Sequence, residues 1–125
     1  MAEYRRIKYA GVIYYGKHLI LTARCCNKKI LDVEVIKKFM TTLTKRIHMV
    51  AYGDPVVARF GQGVEVGISA VQLIETSAIT IHTNDQSRDM YLDVFSCKTF
   101  DEEKAVEFVE ETFSPKFFTF QVFLR

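Results

Sequence analysis

Only two stretches of this chain carry a helical period, and the ordered segments around them alternate at a period of two; no other feature narrows the possible folds as much. Over residues 32–45, Val35, Ile36, Phe39, Met40 and Leu43 recur at three- and four-residue steps with Lys37, Lys38 and Thr41 between them, which predicts a helix with one buried face. Residues 101–113 repeat the pattern through Ala105, Val106, Val109 and Phe113. There Asp101, Glu102 and Glu103 put negative charge in the first turn, where the backbone dipole favours it. The remaining segments read as strands: 8–15 and 17–23, separated by Gly16 as two strands or one long bent strand, then 48–57, 65–74, 79–83, 89–96 and a Phe-rich 116–124. Gly53-Asp54-Pro55, Gly61-Gln62-Gly63 and Asn84-Asp85 mark turns short enough for antiparallel pairing. The simplest architecture is α+β: a two-layer sandwich, its mostly antiparallel sheet carrying both helices on one face and leaving the other for a partner or second subunit.

A chain of 125 residues fits one domain, 1–125, and no linker, repeat or low-complexity tract divides it. Seventeen Lys and Arg against fifteen Asp and Glu give a formal net charge of +2, and the basic residues are dispersed apart from groups such as Arg5, Arg6 and Lys8, read as solvated. A nucleic-acid face needs a stronger basic stripe, so no nucleic-acid partner is expected. The opening Met-Ala-Glu-Tyr-Arg-Arg lacks the apolar core of a secretory leader and no stretch reaches membrane-span length, so a soluble, cytoplasmic protein is expected. Cys25, Cys26 and Cys97 form no Cys-x-x-Cys pair and are expected as thiols, while His18, His48 and His82 lack ligand spacing, so no metal is expected.

Chemistry concentrates in the middle of the chain. Ser69, Ser77, His82 and Cys97 fall close together along Val66-Gly67-Ile68-Ser69 through Ile81-His82-Thr83 and on to Asp93-Val94-Phe95-Ser96-Cys97. Taken singly, Ser77 reads as a turn residue, His82 as a hydrogen-bonded strand histidine, Cys97 as a small buried hydrophobe and Ser69 as a strand hydroxyl. The joint spacing is more specific. It resembles the bacterial class of S-adenosylmethionine decarboxylase, in which a serine, an apolar strand, Glu-Ser-His, Thr-Ile-His-Thr and Asp-Val/Leu-Phe-Thr-Cys follow in this order. Gly16-Lys17-His18-Leu19-Ile20 is similar to that family's Gly-x-His-Leu opening strand. Two positions depart from the motif: Thr76 stands in place of Glu and Ala78 in place of His.

The resemblance implies a proenzyme that cuts itself at Thr76-Ser77 and turns Ser77 into a covalent pyruvoyl cofactor. On that template His82 is a base or proton shuttle, Ser69 a hydrogen-bonding helper and Cys97 the group that returns a proton to the substrate carbon. The implied reaction is decarboxylation of S-adenosylmethionine for polyamine synthesis, by a homodimer with sites near the subunit interface. The departures at Thr76 and Ala78 leave two other readings open. One is a non-cleaving homologue that binds a ligand or regulates a true decarboxylase; the other is a pyruvoyl decarboxylase of another amino acid, such as ornithine or arginine. Strand parity adds a geometric demand. His82 and Ser77 differ in parity, so a turn or irregularity is predicted at residues 76–78 if the two are to meet.

Overall fold

The computed structural model describes residues 5–125; Met1 to Tyr4, where the leader-free reading begins, lie outside the described residues. The first helix, α1 (Val33–Arg46), starts where Asp32 accepts hydrogen bonds from the Glu34 and Val35 amides at 2.9 and 3.4 Å. The second, α2 (Glu102–Phe113), starts where Asp101 accepts from the Glu103 amide at 3.0 Å. Each cap satisfies donors that the helix itself cannot reach. Both buried stripes fall where the apolar period puts them: Ile36, Phe39, Met40 and Leu43 on α1, and Ala105, Val106, Phe108, Val109 and Phe113 on α2. The Phe39 ring stacks on Phe108 at 4.6 Å and meets Phe113 edge-on at 4.9 Å, so the two helices join through aromatic contacts.

These helices cover one face of a six-stranded sheet. Its strands are β3 (Lys17–Arg24), β4 (Val56–Phe60), β5 (Gly67–Ile74), β6 (Ser77–Asn84), β7 (Asp89–Ser96) and β8 (Phe117–Leu124). They lie in the order β4-β5-β6-β7-β3-β8, every neighbouring pair antiparallel. Leu19, Leu21, Ile68, Ala70, Ile79, Ile81, Leu92 and Val94 point into the core, and each large apolar side chain fully buried there contributes about 1.5–3 kcal/mol. Lys17 ties β3 to the start of α2 by donating to Glu102 Oε2 at 2.6 Å and to the Phe100 carbonyl at 2.7 Å. Partial burial pushes the Glu102 carboxyl up, but the Lys17 hydrogen bond and charge outweigh it and hold the group below its usual range.

The alternate residues face away from the helices. There Ile20, Val56, Phe60, Val71, Leu73, Tyr91, Phe123 and His82 are exposed, and Ser69, Thr80 and Asp93 are half-buried. His18 Nε2 lies 3.4 Å from Asp93 Oδ1 on this face. The two-layer α+β expectation is met, including both helices on one side. Two strand assignments are corrected. Residues 8–15 do not form one strand but a separate hairpin, β1 (Ile7–Tyr9) with β2 (Val12–Tyr14), because Ala10 and Gly11 take positive φ and reverse the chain. Residues 48–57 are mostly loop: His48 leaves α1 at φ 59°, Ala51 makes a single bridge to Ile74, and β4 begins only at Val56. No helix among the described residues is long and apolar enough to cross a membrane.

Candidate active site

The turn between β5 and β6 consists of Glu75 and Thr76, with Ile74 paired to Ser77 across it. Ser77 is exposed and sits at φ 154°, a backbone region that non-glycine residues rarely occupy. An irregularity lies in the turn and at Ser77, but the ladder is regular from Ala78 onward, so the bend expected to bring Ser77 to His82 is not present. The surroundings of the turn hold it firmly. Thr76 Oγ1 and Ser96 Oγ share a 2.7 Å hydrogen bond in which either can donate, and both hydroxyls lie near the Met49 sulfur, at 3.5 and 3.6 Å. Ser96, wholly buried, also accepts from the Lys98 amide at 3.0 Å.

The Thr76 carbonyl accepts a 3.1 Å hydrogen bond from the backbone amide of Cys97. This is the carbonyl that a Ser77 hydroxyl would attack. A donor already aimed at that oxygen polarises the bond and stabilises negative charge developing there. Cys97 is thus brought to the Thr76-Ser77 bond by the pairing of β6 with β7, which sets Ser77 opposite Ser96. Its thiol is half-buried and in no disulfide. Arg6, just ahead of β1, donates from Nη2 to the Cys97 carbonyl at 3.1 Å and contacts Cys97 Sγ at 3.4 Å.

Ser69 and His82 form a second group. They are direct partners in the β5–β6 ladder on the open face, where Ser69 Oγ and His82 Nδ1 share a 2.9 Å hydrogen bond. Tyr91, paired to His82 from β7, lays its ring nearly parallel to the imidazole at 6.4 Å between centroids. Within one chain the two groups stay apart. β6 runs in unbroken register from Ser77 to Asn84, so the imidazole lies about 16 Å along the strand from the serine, at about 3.3 Å per residue. The four residues singled out in the sequence thus form two pairs, Ser77 with Cys97 and Ser69 with His82. Sequence reasoning missed Arg6, Met49 and Ser96. Parity along 93–97 could have placed Ser96 on the buried side; nothing local links Arg6 to a residue 91 positions away.

A family model described as S-adenosylmethionine decarboxylase matches residues 17–125. The chain is 32% identical over 103 residues to the S-adenosylmethionine decarboxylase proenzyme of Thermodesulfovibrio yellowstonii, covering 81% of this chain and 73% of that one. It is 29% identical over 104 residues to the proenzyme of the same description from Pyrococcus abyssi, with 82% and 72% covered. Against that of Clostridium botulinum (strain Langeland) the figures are 31% over 104 residues, with 78% and 83% covered. The fold matches the crystal structure of the adenosylmethionine decarboxylase from Aquifex aeolicus with a TM-score of 0.76 at 23% identity, over 90% of this chain and 91% of that one.

Proposed function

The chain belongs to the S-adenosylmethionine decarboxylase family, and from that membership we propose that it cleaves itself between Thr76 and Ser77 and decarboxylates S-adenosylmethionine. The observation that carries this reading is the Cys97 amide on the Thr76 carbonyl, beside a serine at positive φ. Attack by Ser77 Oγ on that carbonyl carbon breaks the C–N bond and forms an ester, the nitrogen leaving with a proton. Removal of the Ser77 Cα proton then expels the Thr76 carboxylate. Water adds to the resulting dehydroalanine, ammonia departs, and a pyruvoyl group caps the downstream fragment. The residues present fit the making of this group, since nucleophile, carbonyl donor and a constrained turn coincide. Once formed, it supplies a carbonyl that draws electrons from the bond between the substrate α-carbon and its carboxylate. In this reading Cys97, whose amide lies on the Thr76 carbonyl, returns a proton to that carbon.

The base comes from a second copy of the chain. At about 16 Å along a straight strand, the spacing supports a His82 that serves the other protomer's serine in place of its own. Ser69 and His82 instead project from the open face, among exposed apolar side chains that a second sheet would cover. Ser69 fixes the ring through Nδ1, which leaves Nε2 to carry the proton to or from the partner's turn. Each site of such a homodimer joins Ser77 and Cys97 of one protomer to Ser69 and His82 of the other. The free thiols suit a reducing compartment such as the cytoplasm.

Denaturing mass spectrometry of purified protein tests the reading. Two fragments divided at Thr76-Ser77, the second with a pyruvoyl-blocked terminus, are expected, and Ser77→Ala should yield only the intact mass. An intact mass after long incubation would instead favour a non-cleaving homologue, consistent with Thr76 and Ala78. Release of carbon dioxide from labelled S-adenosylmethionine, but not from ornithine or arginine, identifies the substrate.

A further inference from the structure

The segment ahead of the family-matched residues 17–125 places a guanidinium on the thiol of Cys97. Arg6 uses Nη2 for both of its contacts there, one to the Cys97 carbonyl and one to Sγ. Its Nε and Nη1 donors remain for another ligand, in the planar fork that matches a carboxylate. Arg5, Arg6, Lys8 and Ile13 line one cavity of about 420 Å³, built against the β1–β2 hairpin in which Lys8 pairs with Ile13. None of the three cations is in an ion pair among the described residues. A pocket with three basic side chains, one of which also reaches the half-buried Cys97 thiol, favours an anion over a neutral or cationic ligand.

We infer that Arg6, assisted by Arg5 and Lys8, is a carboxylate dock that seats the α-carboxylate of an amino-acid ligand beside Cys97 Sγ. Which carboxylate follows from the proton-return role proposed above for Cys97. A carbon within reacting distance of the thiol, about 3–3.5 Å, carries its carboxylate one bond further on, and the guanidinium already stands 3.4 Å from the same sulfur. The choice of the α-carboxylate, and the identity of that ligand with the decarboxylase substrate, rest on the function proposed above; that Arg6 holds an anion does not. The dock is a binding device of the N-terminal hairpin, outside the residues that the family model covers.

Iodoacetate and iodoacetamide test it directly on the whole protein. Both react by attack of the thiolate on the methylene, the S–C bond forming as the C–I bond breaks and iodide leaves with the electron pair. They differ only in whether a carboxylate or an amide sits on the carbon attacked. Alkylation rates at Cys97 and Cys25 are read in the same sample by peptide mass spectrometry, with exposed Cys25 as the internal control. The iodoacetate-to-iodoacetamide rate ratio at Cys97 is expected to exceed that at Cys25 about tenfold, the scale of one charge-assisted hydrogen bond. Arg6→Gln should bring the ratio down to the Cys25 value, and Arg6→Lys should keep part of the preference. Equal ratios at the two cysteines in the wild type, or an Arg6→Gln variant that slows both reagents alike, would overturn the dock, because a structural role for Arg6 changes both rates together. The ratio can be read whether or not the chain is cut at Thr76-Ser77. An uncut chain with a high ratio removes the decarboxylase reading and keeps the dock, whereas a cut chain with equal ratios does the reverse.

Discussion

Cys25 and Cys26 are sequence neighbours with opposite chemistry. Cys25 is exposed at φ 55°, whereas Cys26 is 4% exposed and its thiol is pushed up to about 11 by burial, then by Asp89 and by Cys25 itself. At pH 8, iodoacetamide should label Cys25 and leave Cys26 unmodified until the protein unfolds, which peptide mapping can follow. The shift also carries a stability prediction. The unfolded thiol loses its proton near its usual 9.0 and the folded one keeps it to about 11, so stability is full below pH 9 and falls as pH rises between these values. Urea titrations at pH 8 and pH 10.5 should show that fall, and Cys26→Ala should flatten it. Ser96 offers a second test at this scale. Ser96→Ala leaves the Thr76 hydroxyl and the Lys98 amide without their shared partner, at a cost of about 1–3 kcal/mol. If the turn is the cleavage site, fragment formation followed by mass should slow as well.

Among the elements, both helices were legible because a 3.6-residue period marks them and, for α2, acidic residues mark its start; the structure adds that Asp32 and Asp101 are the caps. β7 was equally plain, since Met90, Leu92 and Val94 alternate with polar or half-exposed neighbours between clear turn signals. The hairpin over residues 7–14 was not, because its reversal rests on Ala10 as well as Gly11, and alanine gives no sign of a positive φ. The loop after α1 misled for a related reason: the apolar residues Met49, Val50, Ala51 and Tyr52 alternate like a strand but find only one bridge. The candidate residues were legible as a set through their spacing, yet their division into two pairs was not. It depends on β6 running straight, and composition does not report a missing bulge. One strand position permits a sharp test. A Cβ on Gly67 would lie 1.8 Å from the Thr83 carbonyl oxygen, on backbone that the β5–β6 ladder holds in place. Gly67→Ala should cost roughly 3 kcal/mol or more, read as a lowered urea midpoint.

Across the whole molecule the sheet has one covered face and one open face, and the open face carries the Ser69–His82 pair. If two protomers share each site, variants defective in different halves should repair one another. Ser77→Ala and His82→Ala chains should each stay intact alone. Co-expressed, they should yield cleavage of the His82→Ala chain only, since that chain keeps its serine and borrows an imidazole; intact masses for both would show that no such sharing occurs. The strand order has a final consequence for any molecule cut at the β5–β6 turn. β3 belongs to the upstream piece, yet it is inserted between β7 and β8 of the downstream piece, while β5 still borders β6. The two polypeptides would be interleaved, each wedged into the other's hydrogen-bond ladder, and neither could diffuse away without tearing three strand seams at once. Such a nicked particle should migrate as one species on native sizing and fall into two only in denaturant.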